Sequence, residues 1–239
     1  GTLATVTGSG TTWTAVRALT ADDTEGAVTL SIDYLDLAGN AGAQATSTTD
    51  GSVVTFDKTV PTFTTVSMVS NNANTALAMV GDTVTVTMAA SEITQAPAVT
   101  IGGTIATVTG SGTAWTAVRA LTADDTEGAI ALSIDYLDLA GNAGAQTTAA
   151  TDGSVVTFDK TPPTFTTVSM VSNNANTAYA MVGDIVTVTM VASESTQSPD
   201  VIIGGTIATV TGSGTAWTAA RTLTEDDTEG SITFSIDYF

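Results

Sequence analysis

The stretch VTFDKTPPTF, Val156 to Phe165, and its near copy VTFDKTVPTF, Val54 to Phe63, read as the last strand of one domain running into the first strand of the next. Pro162 and Pro163 fix φ and remove two backbone donors, so no strand ladder continues through them. Asp159 opens the connector, and Lys160 and Thr161 leave it almost no slack.

Outward from this joint the sequence repeats. Gly1, Gly103 and Gly205 each open the phrase GT(L/I)ATVTGSGT, a period of 102 residues that Trp13, Trp115 and Trp217 keep, as do Arg17, Arg119 and Arg221. The first two copies differ at 15 of 102 positions, Val60 against Pro162 and Leu77 against Tyr179 among them. Such a period is too long for a solenoid unit and suits an autonomous domain. One complete domain is expected from about Thr59 to Lys160. Residues 1–58 are then the back part of a preceding copy, and 161–239 the front part of a following one. The chain starts and stops inside the repeat, so it is expected to be a window of a longer array.

Within the complete copy, Val84, Val86 and Met88 alternate with Thr83, Thr85 and Thr87, the pattern of a half-buried strand. Ile130, Leu132, Ile134 and Tyr136 alternate with Ala131, Ser133 and Asp135 in the same way, and both apolar sets are expected to face inward. Phe63 to Val69, Val99 with Ile101, Ile105 to Thr109, Trp115 to Leu121 and Val155 to Phe158 bring the strands to seven. Turn residues separate them, and no stretch carries a 3.6-residue period. Seven short alternating strands in about 100 residues predict an all-β fold, an antiparallel β-sandwich. Trp115 is expected as a core anchor between the sheets, with an exposed sugar-stacking Trp as the alternative, since alternation alone does not fix its face. Arg119 shares its parity and either lies across the ring or pairs with a carboxylate.

Charge excludes several functions. Twenty-four acids stand against five bases, with no His and a net charge of −19, the opposite of a nucleic-acid backbone binder. The absence of Cys excludes disulfides and thiolate metal sites. No apolar run is long enough to span a membrane, and a window of a longer array is not expected to carry its signal peptide.

The phrases VTFDKT-x-P, GDTVTVTM-x-ASE and YLDLAGNAG resemble the bacterial Ig-like repeats of giant surface adhesins, whose pattern is an Asp-Lys/Thr-Thr-x-Pro linker, a Gly-Asp strand, a Ser-Glu after it, and Asp-x-Ala-Gly-Asn. The resemblance covers the whole repeat. It implies tandem immunoglobulin-like sandwich domains of about seven strands each, outside a bacterial cell, with calcium stiffening the joints.

Immunoglobulin-like topology sorts the loops into two ends. At the first joint it gathers Asp57, Glu92, Asp138 and Asn142 from the complete copy, with Asp22, Asp23 and Glu25 from the preceding one. Asp36 and Asn40 are the preceding copy's counterparts of Asp138 and Asn142. The second joint would gather Asp124, Asp125, Glu127, Asp159 and Glu194. Six carboxylates against Lys58 alone call for a cation or for dispersal into water. Ca2+ takes about six to eight oxygen ligands in forgiving geometry, whereas zinc and copper favour His and Cys. The competing reading is a solvated acidic surface. Asp33 and Asp135, pointing outward from strands, read as plain surface charges.

An enzyme is not expected. Only carboxylate chemistry remains without His or Cys, and no insertion is long enough to wall the cleft that paired acids need. The Gly-Ser-Gly at Gly110 to Gly112 has no His partner. The sequence therefore favours spacer repeats of an extracellular surface protein, whose partners are neighbouring repeats of the same chain. A filament or surface-layer subunit completed by strands from identical chains is the alternative. A glycan-binding module is a third class, but the loops carry almost no aromatics.

Overall fold

In the computed structural model, which describes residues 2–238, every regular element is a strand. The first partial copy forms β1 (Thr5–Ser9), β2 (Thr12–Val16), β3 (Gly26–Ala27) and β4 (Thr55–Phe56). The complete copy begins with β5 (Phe63–Ser70), β6 (Leu77–Ala78), β7 (Thr83–Ala90), β8 (Ala98–Ile101) and β9 (Thr104–Ile105). It continues with β10 (Thr107–Ser111), β11 (Ala114–Ala120), β12 (Gly128–Ala129), β13 (Leu132–Asp135) and β14 (Thr157–Phe158). The last copy forms β15 (Phe165–Ser172), β16 (Ile185–Ala192), β17 (Asp200–Ile203), β18 (Thr206–Ile207), β19 (Thr209–Ser213), β20 (Ala216–Thr222) and β21 (Phe234–Asp237). With no helix among the described residues, none is long and apolar enough to cross a membrane.

Threonine alternation makes β7 two-faced: Val84, Val86, Met88 and Ala90 are buried, and the threonines between them are not. β7 sits inside a four-stranded antiparallel sheet of order β10-β11-β7-β5. Opposite it, β13-β8-β9 form an antiparallel sheet whose Val99, Ile101, Leu132 and Ile134 point into the same core. The core lies between the two sheets, which makes the domain a sandwich, and Ile130 belongs to it with the other residues expected inward. Burying each such side chain stabilises by about 1.5–3 kcal/mol.

The pairing departs from the expected scheme in two places. Ile105 to Thr109 does not run as one strand, because the chain crosses sheets at buried Ala106: β9 pairs with β8, and β10 with β11. A third sheet, β12-β14-β6, contains one parallel pair, Thr157 beside Leu77 and Phe158 beside Ala78. The long connection from β6 to β14 returns the chain in the same direction, so the sandwich is antiparallel except here.

Trp115 is half-buried against the core, and its indole N–H donates to Thr94 Oγ1 at 2.9 Å. Arg119 takes the carboxylate of the two options: its Nη2 donates to Asp125 Oδ1 at 2.5 Å and its Nη1 to Ile101 O at 2.9 Å. Asp135 and Asp33 lie exposed and accept from Gln146 and Gln44, each at 2.9 Å.

The chain divides into two compact units between Lys160 and Thr161. The second holds the four-stranded sheet β15-β16-β20-β19 and the three-stranded sheet β18-β17-β21 around Val186, Val188, Met190, Val201, Ile203 and Ala219.

Candidate metal centre at the first joint

The loop after β13 is shaped by its own aspartate. Leu137 and Ala143 form a bridge, and Asp138 N–H donates to Asn142 O at 3.1 Å. Within this turn Asp138 Oδ1 accepts from Gly141 N at 2.6 Å and Asn142 N at 2.8 Å, while Oδ2 accepts from Asn142 Nδ2 at 2.7 Å. Gly141 takes φ +98°, where a side chain would be strained. The Asp-x-Ala-Gly-Asn spacing is thus the spacing of a self-capping loop. Asp138 is 1% exposed. Burial pushes its carboxyl up, but the bonds from Asn142, Gly141 and Ala140 outweigh burial and hold it below the usual carboxylate range.

Asp57 and Glu92 join Asp138, with one carboxylate oxygen of each within 4.8 Å of the others. Asp57 stands in the connector just after β4. Glu92 follows β7 and is placed by its neighbour: Ser91 N–H donates to Thr62 O at 2.8 Å, and Ser91 Oγ accepts from Thr62 N at 3.0 Å. Glu92 Oε1 is buried and has no hydrogen-bond partner. Burial, then the charges of Asp57, Asp138 and Glu25, pushes the Glu92 carboxyl above its ordinary range. Lys58 does not neutralise the group, because its ammonium donates instead to Ala21 O at 2.7 Å and Asp23 O at 2.9 Å.

A buried carboxylate oxygen without a donor, beside two other carboxylates, suits a hard cation. The trio offers oxygen ligands only, which matches Ca2+ and not a metal that prefers nitrogen or sulfur.

The other acids expected at the joints make bonds of their own or lie exposed. Asp23 pairs with Arg17 and accepts from Thr20 N at 2.7 Å; the Arg17 bond leads in holding its carboxyl low. Asp125 pairs with Arg119 and accepts from Thr122 N at 2.7 Å, and Asp227 repeats the pair with Arg221. Glu25 Oε1 accepts from Lys58 N and Thr59 Oγ1, both at 2.8 Å, and the Lys58 bond leads in lowering its pKa. Glu127 accepts from Lys160 N at 2.9 Å. Asp22 and Asp124 are exposed. Asp36 and Asn40 reproduce the self-capping loop, with Asn40 Nδ2 donating to Asp36 Oδ2 at 2.8 Å, but on an exposed surface. Of the two remaining residues, Asp159 follows β14 in the first unit and Glu194 follows β16 in the second.

Two supporting residues were missed. Thr94, 3% exposed, bridges to Asp138 and accepts the Trp115 indole N–H, and Gln95 Nε2 donates to Asp138 O at 2.8 Å. Their signal was present: Thr-Gln follows Ser-Glu at the same spacing at Thr94-Gln95 and at Thr196-Gln197.

No protein-family model matches the chain, and no curated protein matches it significantly.

Proposed function

We propose that these repeats are structural extender units of a large extracellular bacterial surface protein, with Ca2+ stiffening the joint at Asp57, Glu92 and Asp138. The observation that carries this reading is Glu92 Oε1, buried without a hydrogen-bond partner beside the carboxylates of Asp57 and Asp138, a set of oxygens that a bound cation would satisfy. Asp57 comes from the connector, whereas Glu92 and Asp138 come from the domain that follows it, so a shared ion ties the connector down. Few protein ligands imply the weak affinity of extracellular calcium modules, with Kd about 10⁻⁴–10⁻³ M. The immunoglobulin-like character of the repeats, their non-enzymatic role and their place at the cell surface belong to the same reading.

Small-angle scattering of the 239-residue chain in Ca2+ and in chelator tests the proposal. Extender repeats give a monomer that is longer and stiffer with Ca2+. Equal dimensions in both conditions overturn the calcium joint, and concentration-dependent growth into fibres favours the filament subunit.

A further inference from the structure

Asp57 C=O and Lys58 N–H are the two ends of one peptide group, and different repeats hold them. The N–H donates to Glu25 Oε1, from the preceding repeat, at 2.8 Å. The C=O accepts from Asn142 Nδ2, from the following repeat, at 3.2 Å. We propose that this peptide group is a cation-independent clasp that couples consecutive repeats through the connector backbone.

The grip is wider than two bonds. Thr59 Oγ1 donates to the same Glu25 oxygen at 2.8 Å, so one carboxylate fixes two successive connector residues. The Lys58 side chain folds back over the Ala21–Glu25 loop and donates to two of its carbonyls. That loop is prepared for it, because Asp23 binds Arg17 and caps Thr20, leaving the Ala21 and Asp23 carbonyls free to face the ammonium. Bonds with one ionised partner are about twice as strong as neutral ones, and both Glu25 and Lys58 supply a charge. No carboxylate of Asp57, Glu92 or Asp138 accepts or donates in these contacts, though the Asn142 amide that holds Asp57 C=O also donates to Asp138 Oδ2 at 2.7 Å. The clasp therefore goes beyond the calcium reading and stands without it.

The preceding repeat's half of the clasp recurs one period later. Lys160 N–H donates to Glu127 Oε1, and Lys160 Nζ donates to Ala123 O and Asp125 O, all at 2.9 Å. The sequence separations, 33, 37 and 35, are those found at Lys58. An acidic loop that binds the connector of the next repeat through Asp-Lys-Thr explains why Lys stands in a linker otherwise crowded by acids. It also gives Glu25 and Glu127 a task other than ligation.

Amide hydrogen exchange of the whole 239-residue chain, followed by NMR in chelator, tests the clasp apart from any ion. The Lys58 N–H is expected to exchange at least tenfold more slowly than an open-chain amide. Glu25→Ala is expected to abolish that protection while the core amides of Val86 and Ile134 keep theirs. Glu25→Gln, which keeps an acceptor oxygen, is expected to retain most of it, and Lys58→Met to lose several-fold. Asn142→Ala is expected to give residues 1–58 and 59–160 separate rotational correlation times where the native chain shows one. An open-chain exchange rate for Lys58 N–H in the native chain, or protection unchanged in Glu25→Ala, would overturn the clasp even if Ca2+ binds as proposed. Should Glu25→Ala also lose its core protection, Glu25→Gln and Lys58→Met decide the matter.

Discussion

The Tyr136 ring covers Gly144 so closely that a Cβ at residue 144 would lie 2.3 Å from its Cε2 and Cζ atoms. The same ring meets Phe63 at a centroid distance of 4.2 Å. Phe63 stands at the start of β5, where the register against β7 shifts between Phe63 and Thr65. The loop carrying Asp138 is therefore seated by an aromatic pair at the start of the domain, and the fit needs a glycine.

Gly144→Ala is expected to destabilise the complete domain by about 1–3 kcal/mol, the usual cost of overpacking. Gly42→Ala meets the same atoms of Tyr34, but that ring is 55% exposed and can swing away, so its cost should be smaller. Urea unfolding of both variants checks the order, and equal effects would separate the loop from its aromatic seat.

Leu132→Ala removes a buried side chain from the sheet opposite β7 and is expected to cost about 2–5 kcal/mol. Leu139→Ala, 68% exposed, should stay within about 0.5 kcal/mol. Thermal unfolding with the two effects reversed would contradict the inward face assigned to β13.

Arg119 and Asp125 side chains are only 10% and 9% exposed, so Arg119→Met strands a carboxylate and is expected to cost about 3–5 kcal/mol. The Arg17–Asp23 pair, 26% and 17% exposed, shares its Asp with water, and Arg17→Met should cost less. Comparing the two midpoints in denaturant tests the role given to these pairs.

Much of this was legible beforehand, and for identifiable reasons. Alternation of Thr with Val and Met marks β7 because one face of a long strand is buried. The Asp-x-Ala-Gly-Asn spacing marks the Asp138 loop because its bonds close within five residues. Contacts that depend on tertiary placement were not legible. β6 and β12 are two residues long, too short to show any period. The crossing at Ala106 leaves an unbroken strand-like pattern, because each sheet takes two or more residues of it. Asp23 and Asp125 were grouped with the joint by charge and loop position, whereas Arg17, just after β2, and Arg119, on β11, hold them within their own repeats.

The Glu92 carboxyl is raised above its ordinary value of about 4.3 by burial and by neighbouring carboxylates, so the fold favours its protonated form. Its stabilising contribution is present below that unfolded value and is lost as pH rises through the higher folded value. In chelator at pH 7 Glu92→Gln is thus expected to raise the melting temperature, and the gain should vanish towards pH 4. Asp138 has the opposite sign: its lowered carboxyl contributes stability above about 3.9 that is lost as pH falls through the folded value. A lower melting temperature for Glu92→Gln at pH 7 in chelator would contradict the unpartnered state of Glu92.

Calorimetric titration of Ca2+ into chelator-stripped protein at pH 7 tests the calcium joint most directly. The native chain is compared with the triple variant Asp57→Asn, Glu92→Gln, Asp138→Asn. The account predicts that the native chain takes up one more Ca2+ than the variant, with Kd about 10⁻⁴–10⁻³ M, and that Mg2+ at the same concentration does not replace it. Identical Ca2+ uptake by the two proteins would contradict it.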